Sequence, residues 1–325
     1  MKYGFAVKVL GDGGLPSNDS RRWQSGPHLS VSIWMLHDIL NYLDKNNIRM
    51  YRMSSDIIPY GTHPDMPQFH NQISECRHDL ADLGYEARRL DIRLSLHPAQ
   101  FVVLNSPDAE VARKAAADLV QQSELLDAMG LGPEAVVIIH VGGLYGDKKS
   151  SLNRLIERWR MLSEPARRRV VIENDERMFN VEDTLIIHEH TGARLIFDYQ
   201  HHMLNPGNKQ LADALRTCLS TWPPEQTPKI HFSSPRTEMR TVVKKNSITG
   251  KKENIYIPPL MSQHADYINP LEFMMFMERT KGLIFDVMLE AKSKDLALLA
   301  LRKFFEVKGL LEWADTPMRP SQEQQ

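Results

Sequence analysis

Eight short runs rich in β-branched and apolar residues recur along the chain, spaced so that one amphipathic helix fits after each. They are YGFAVKVL from Tyr3, IRMYRMSS from Ile48, DIRLSLH from Asp91, AVVIIHVGG from Ala135, RVVIEND from Arg169, ARLIFDYQHH from Ala193, PKIHFSSP from Pro228 and GLIFDVMLEAK from Gly282. Each is too short for a buried helix, and several are almost continuously apolar, the pattern of parallel strands covered on both faces. The stretches between them carry helix boundaries. SVSIWMLHDILNYLDKNN opens with Ser30 at an N-cap position, SPDAEVARKAAADLVQQSELLDAMG starts from Asp108 and stops at Gly130, and NVEDTLIIHEHTG runs from Asn180 to Gly192. Eight units of roughly 30 to 45 residues describe a single (β/α)8 TIM barrel. A doubly wound sheet fits less well, because no GxGxxG turn follows the first strand.

The barrel domain is expected over residues 1–306, with a C-terminal extension over 307–325 whose end, TPMRPSQEQQ, should fray. One polar segment, residues 236–262, interrupts the rhythm after the seventh strand; a turn is expected at Ser247–Gly250 and the next helix near Asn269. The segment is basic in its middle and reads either as a solvated loop or as a loop that touches substrate phosphates.

The 325 residues are 42% hydrophobic and 25% charged, which excludes a disordered chain. Two distant cysteines, Cys76 and Cys218, are too few for a disulfide framework or a Cys-based zinc site and suit a reducing compartment. With no signal-like start and no long apolar run, a monomeric cytoplasmic protein without membrane contact is expected. The net charge of −1 leaves nucleic-acid binding to a local basic rim.

The C-terminal ends of strands three to eight carry His97, His140, Glu173, Asp198, His231 and Glu290. In a parallel barrel these ends converge on one face, where the active sites of such enzymes sit. Three imidazoles and three carboxylates in one mouth need cations to balance them, and this N/O donor set suits Mn²⁺ or Zn²⁺, with Mg²⁺ a further option. The lack of a nearby Cys favours the harder ion. His201, His202, Lys229, His264 and Asp266 are placed at the same face, too many ligands for one ion. Two or three ions sharing a bridging carboxylate would suit phosphodiester cleavage by activated water.

LSLHPAQFVVLNSP, IIHVGGLYGDK, VIENDE, FDYQHH, KIHFSSP, SQHADYI and MLEAKSKDLALLAL, in order between Tyr3 and Leu301, together resemble the UV damage endonuclease family. The resemblance implies a TIM-barrel DNA repair enzyme that nicks damaged double-stranded DNA 5′ to UV photoproducts and some other lesions, using up to three divalent ions, commonly manganese. It implies that His97, His140 and Glu173 hold one ion, that Glu173, Asp198, His231 and Glu290 hold a second, and that His201 and His264 hold a third. Lys229 matches a lysine that can be carboxylated, so Glu173 and Lys229 are the expected catalytic pair. Gln100 and Phe101 match the pair that wedges into the duplex opposite the lesion, with Phe where the family often has Tyr. Tyr3, Asn105, Ser55 and His63 are expected to line the same groove. A metal-dependent sugar isomerase on the same barrel is the alternative, and a catalytically dead damage binder a weaker one.

Overall fold

A computed structural model describes residues 1–310 and 313, so the segment expected to fray, 316–325, lies outside the described residues. All eight expected runs form strands: β1 Tyr3–Ala6, β2 Met50–Arg52, β3 Arg93–Ser95, β4 Val137–His140, β5 Val170–Glu173, β6 Arg194–Asp198, β7 Lys229–Phe232 and, after a hairpin of β8 Arg240–Lys245 with β9 Lys252–Ile257, β10 Asp286–Leu289. The eight pair in parallel in the order β3, β2, β1, β10, β7, β6, β5, β4. The ring closes between β3 and β4 through Leu96 alone, whose N–H donates to Val136 O and whose carbonyl accepts from Ile138, each at 2.9 Å.

Side chains alternate across a strand, so each strand presents one set inward and one outward. The outward set, including Val137, Ile139, Ile172, Phe197, Ile230, Phe232 and Leu289, joins the main core against the surrounding helices. Val136, Ile138, Val171 and Ile196 form a separate buried cluster with Trp222. Along the inward set of β3, Arg93 stands at the bottom, Ser95 above it and His97 at the mouth. On β7, Lys229 stands one layer below His231. The barrel interior thus runs from a charged floor to the histidine and carboxylate mouth.

Helix boundaries follow side-chain chemistry. Asp108 caps Ala109–Ala128, Asn180 and Asp183 form a capping box on Val181–Thr191, and Asn269 caps Pro270–Arg279. The first helix departs from expectation: it spans Leu29–Lys45, and its cap is His28, whose ring accepts from Ser30 N–H. Buried Gln72 takes the Leu29 N–H at 2.8 Å, so a distant partner fixes that end two residues early. The last helix, Lys294–Lys308, runs past the expected boundary at 306, and Trp313 rests edge-on against Phe305 at 5.8 Å. Segment 236–262 contains a regular antiparallel hairpin where a loop was expected, because strand-favouring Thr, Val, Ile and Tyr flank the Asn246–Gly250 turn on both sides.

The floor holds a buried ion pair. Arg93 donates to Asp286 Oδ2 at 2.9 Å and to Thr227 O at 2.8 Å, while Lys2 N donates to Asp286 Oδ1 at 2.7 Å. This ties β1, β3, β10 and the approach to β7 together. Removing one partner strands a buried charge, so Asp286→Ala should lower the unfolding free energy by about 3–5 kcal/mol. Urea unfolding checks this; a loss below about 1 kcal/mol, the range of exposed pairs, would contradict it.

Candidate metal centre

At the mouth, Glu173 at the end of β5 is the hub. Its carboxylate is 2.9 Å from His231 Nδ1, 3.1 Å from His97 Nε2, 3.6 Å from His201 Nδ1 and 3.8 Å from His140 Nε2. Strand register brings these together: His140 pairs with Glu173 across β4 and β5, and Asp198 pairs with His231 across β6 and β7. Asp198 also caps the short helix Tyr199–Leu204 and accepts the His201 N–H at 2.7 Å, which turns His201 back over the mouth.

Three groups of donors lie within 4.8 Å of one another and can hold a metal ion: His97, His140 and Glu173; Glu173, Asp198 and His201; Asp198, His231 and Glu290. The first coincides with the expected set. In the others the sharing differs, because Asp198 as well as Glu173 belongs to two groups. His264 belongs to none of these three groups; its Nε2 lies 3.8 Å from Glu290, so it flanks the third. His202 is buried with its ring 5.3 Å from Phe197, away from the centre, since its neighbour His201 takes the inward position of that helical turn. Asp266 is exposed and takes part in no group.

The donor set fits cations. His231 Nε2, Asp198 Oδ2 and His140 Nδ1 are buried without any hydrogen-bond partner, which is costly unless something else satisfies them. Burial pushes His97 down to about 4, so it stands neutral with a free lone pair near pH 7. Burial alone would raise Glu173, but the imidazoles of His231, His140 and His97 outweigh it and hold the carboxyl well below its usual range. Asp198 moves the other way: burial, with Glu173 and Glu290 adding repulsion against the attraction of His201, raises it well above the carboxylate range. Two neighbouring carboxylates pushed apart are what a low-dielectric site short of positive charge produces.

Arg52 was not anticipated. It ends β2 on the inward side and donates to Glu290, supplying the fixed cation in the mouth. An arginine at the C-terminal end of a strand, where the mouth lies, was the available signal. Lys229 lies beneath the centre, 1% exposed, with Nζ 2.9 Å from Ser95 Oγ and no carboxylate at ion-pair distance among the described residues. Burial, with Arg93 and Arg52 nearby, holds its pKa well below the ordinary lysine value.

Gln100 is exposed and Phe101 is 74% exposed, on the loop that leads from His97. Phe101, Ser55 and His63 border one cavity of about 560 Å³ that also meets Arg21 and Gln121. Two expected groove residues are elsewhere. Tyr3 is 2% exposed and belongs to the main core, its ring 6.0 Å from Phe273 of the helix Pro270–Arg279, because it takes an outward position on β1. Asn105 is fully buried and donates to Gly143 O at 2.8 Å, bracing the loops after β3 and β4.

A family model described as UV-endonuclease UvdE matches residues 30–314. The chain is 34% identical over 266 residues to the UV DNA damage endonuclease of Bacillus velezensis, covering 81% of this chain and 76% of that protein. It superposes on the crystal structure of SacUVDE with a TM-score of 0.78 and 32% identity, covering 95% of this chain and 99% of that one. A D-tagatose 3-epimerase-like protein shares the fold alone, at a TM-score of 0.56 and 14% identity.

Burial opposes protonation of His201, but Asp198, Glu173, Glu290 and Glu176 outweigh it and raise the ring to about 9. In metal-free protein this raised pKa contributes stability that is complete below the unfolded value near 6.5 and is lost as pH rises through about 9. Thermal midpoints of chelated wild type and His201→Gln should therefore differ most near pH 6, with wild type the more stable, and converge by about pH 10. A difference that stays constant over that range would contradict the assignment.

Proposed function

This chain belongs to the UV-endonuclease UvdE family, a DNA repair endonuclease of the UV-damage class, and from that premise we propose that it nicks damaged duplex 5′ to photoproducts with divalent ions held at the barrel mouth. The observation that carries the metal reading is the set of three donor groups sharing Glu173 and Asp198, with three buried donor atoms left without partners. The N/O donors, with both cysteines buried elsewhere, favour manganese. When bound, such ions activate water and neutralise charge that builds on the phosphate oxygens.

The residues around them orient and exclude. His97, His140 and Glu173 present one donor set; Glu173, Asp198 and His201 a second; Asp198, His231 and Glu290, with His264 beside them, a third. Arg52 fixes the Glu290 carboxylate in place. Lys229, whose pKa burial holds well below the ordinary lysine value, is tilted towards the free amine that could add CO₂ with loss of one proton, which would turn it into an acidic ligand beneath the centre. Phe101 offers a stacking face without a hydroxyl, and Gln100 a hydrogen-bonding tip, at the edge of the cavity bordered by Ser55 and His63. The sugar isomerase alternative has only a distant likeness of fold behind it. On this reading one barrel domain over 1–306 acts as a monomer in the cytoplasm; no helix among the described residues is long and apolar enough to cross a membrane.

A labelled duplex carrying one photoproduct should be nicked with Mn²⁺ and left intact with EDTA. Glu173→Gln should abolish nicking and lower the bound metal, whereas activity within about tenfold of wild type at full metal content would overturn the shared-ligand role. Elemental analysis of Lys229→Ala with gentle mass spectrometry of wild type tests the carbamate. An unchanged metal count and no added CO₂ would return Lys229 to a plain buried amine.

Replacing Gln100 and Phe101 together by Ala should weaken binding to lesion duplex by ten- to a hundredfold, since stacking on a base is worth about 1–3 kcal/mol. Undamaged duplex should be affected far less. Equal losses for both duplexes, titrated at one salt concentration, would mark the pair as backbone contacts.

A further inference from the structure

The hairpin β8–β9 is rooted in the metal centre and carries a charge the remainder of the chain does not. Residues 236–262 hold six lysines and arginines against two glutamates, a net +4 on a chain whose total is −1. Its base is bound to the mouth: Pro235 bridges to His264, Arg236 N donates to Gln263 O at 2.7 Å, and Gln200 Nε2 donates to Met261 O at 2.6 Å. Beyond that base the ribbon stands free, and all of Lys244, Lys245, Lys251 and Lys252 are exposed.

The arrangement of these lysines works against the hairpin's own stability. The tip reads KKNSITGKK, and the ladder sets Lys245 directly opposite Lys252. Like charges facing across a strand pair are destabilising, and a lone two-stranded ribbon is marginal to begin with. Lys244 stands opposite Glu253, whose carboxylate accepts from Asn246 Nδ2, while Lys245 stands opposite a second lysine, Lys252. A sequence that breaks a local rule at one exposed spot points to a ligand that repairs it there, and two ammonium groups with two more beside them are repaired by phosphates. Six residues of strand extend about 20 Å, or about six base-pair steps along a duplex lying on the mouth.

We propose that this hairpin is an arm that grips the phosphate backbone of the bound duplex away from the cleaved bond, adding affinity that ignores the lesion. The inference rests on the reading of the chain as a DNA endonuclease. DNA is favoured over an acidic protein or a second copy of the chain because the arm springs from the loop that carries His264, beside Glu290 of the centre.

The test replaces Lys244, Lys245, Lys251 and Lys252 together by Gln, with the four Lys→Arg changes as a charge-keeping control. Binding to damaged and undamaged duplex is titrated over a range of salt. The Gln variant should weaken both by the same factor, at least about tenfold at low salt, and its salt slope should be shallower by up to roughly 3.6, at about 0.9 for each of four phosphate contacts. The turnover rate at saturating lesion duplex should hold while the duplex concentration required rises, and the Arg variant should match wild type. Relieving the Lys245 and Lys252 repulsion should leave the thermal midpoint unchanged or higher, which separates lost contacts from lost fold.

Wild type that binds and nicks alongside a Gln variant with the same affinity and slope would overturn the arm and leave the endonuclease reading standing. Loss confined to damaged duplex, or a change in oligomeric state in place of DNA affinity, would overturn it too. Wild type that neither binds nor nicks duplex would overturn the endonuclease reading itself, and the arm with it.

Discussion

Closing eight parallel strands into a ring is the constraint on which the rest of this molecule depends. A parallel sheet left open would present unpaired backbone along two edges, and here the closure hangs on Leu96, bonded to Val136 and Ile138 across the seam. Once the ring is shut, every second residue faces a narrow interior, and the strand ends cannot avoid one another. That geometry alone brings His97, His140, Glu173, Asp198, His231 and Glu290, nearly 200 positions apart at the extremes, into one mouth.

The interior then becomes an electrostatic column. At the floor Arg93 and Arg194 lie over the Trp222 ring at 5.5 and 4.6 Å, and Asp286 compensates Arg93. Lys229 occupies the middle, and the mouth crowds three carboxylates among five imidazoles. Low dielectric magnifies each charge, so Glu173 and Asp198 are driven in opposite directions and His201 is raised. The protein alone leaves His231 Nε2 and Asp198 Oδ2 without partners. A site in this condition is assembled for cations, with the exposed Phe101 loop on one side and the basic hairpin rising from the rim.

Much of this was legible in order along the chain. The run-and-helix alternation gave the barrel, and Asp108, Asn180 and Asn269 marked helix starts correctly because capping depends on a few neighbouring residues. Where a distant partner intervened, reading along the chain failed: Gln72 reaches back to fix the first helix at His28, two residues ahead of Ser30. The hairpin was missed because its strands, RTVVKK and KENIYI, show no apolar–polar alternation and bury no face. Tyr3 and Asn105 were misplaced because chemical type says nothing about which face of a strand, or which side of a loop, a side chain occupies.

The sequence by itself determined the strands, their parallel sense and the identity of the residues at their ends, since period, caps and residue types are local properties. Only the tertiary structure decided which of those ends stand close enough to share an ion. Strand stagger and ring closure made Asp198 a second shared carboxylate, set His264 beside Glu290, turned His202 outward and placed Arg52 against Glu290. Those outcomes depend on ångström-scale distances between segments far apart in the chain, which no local pattern encodes.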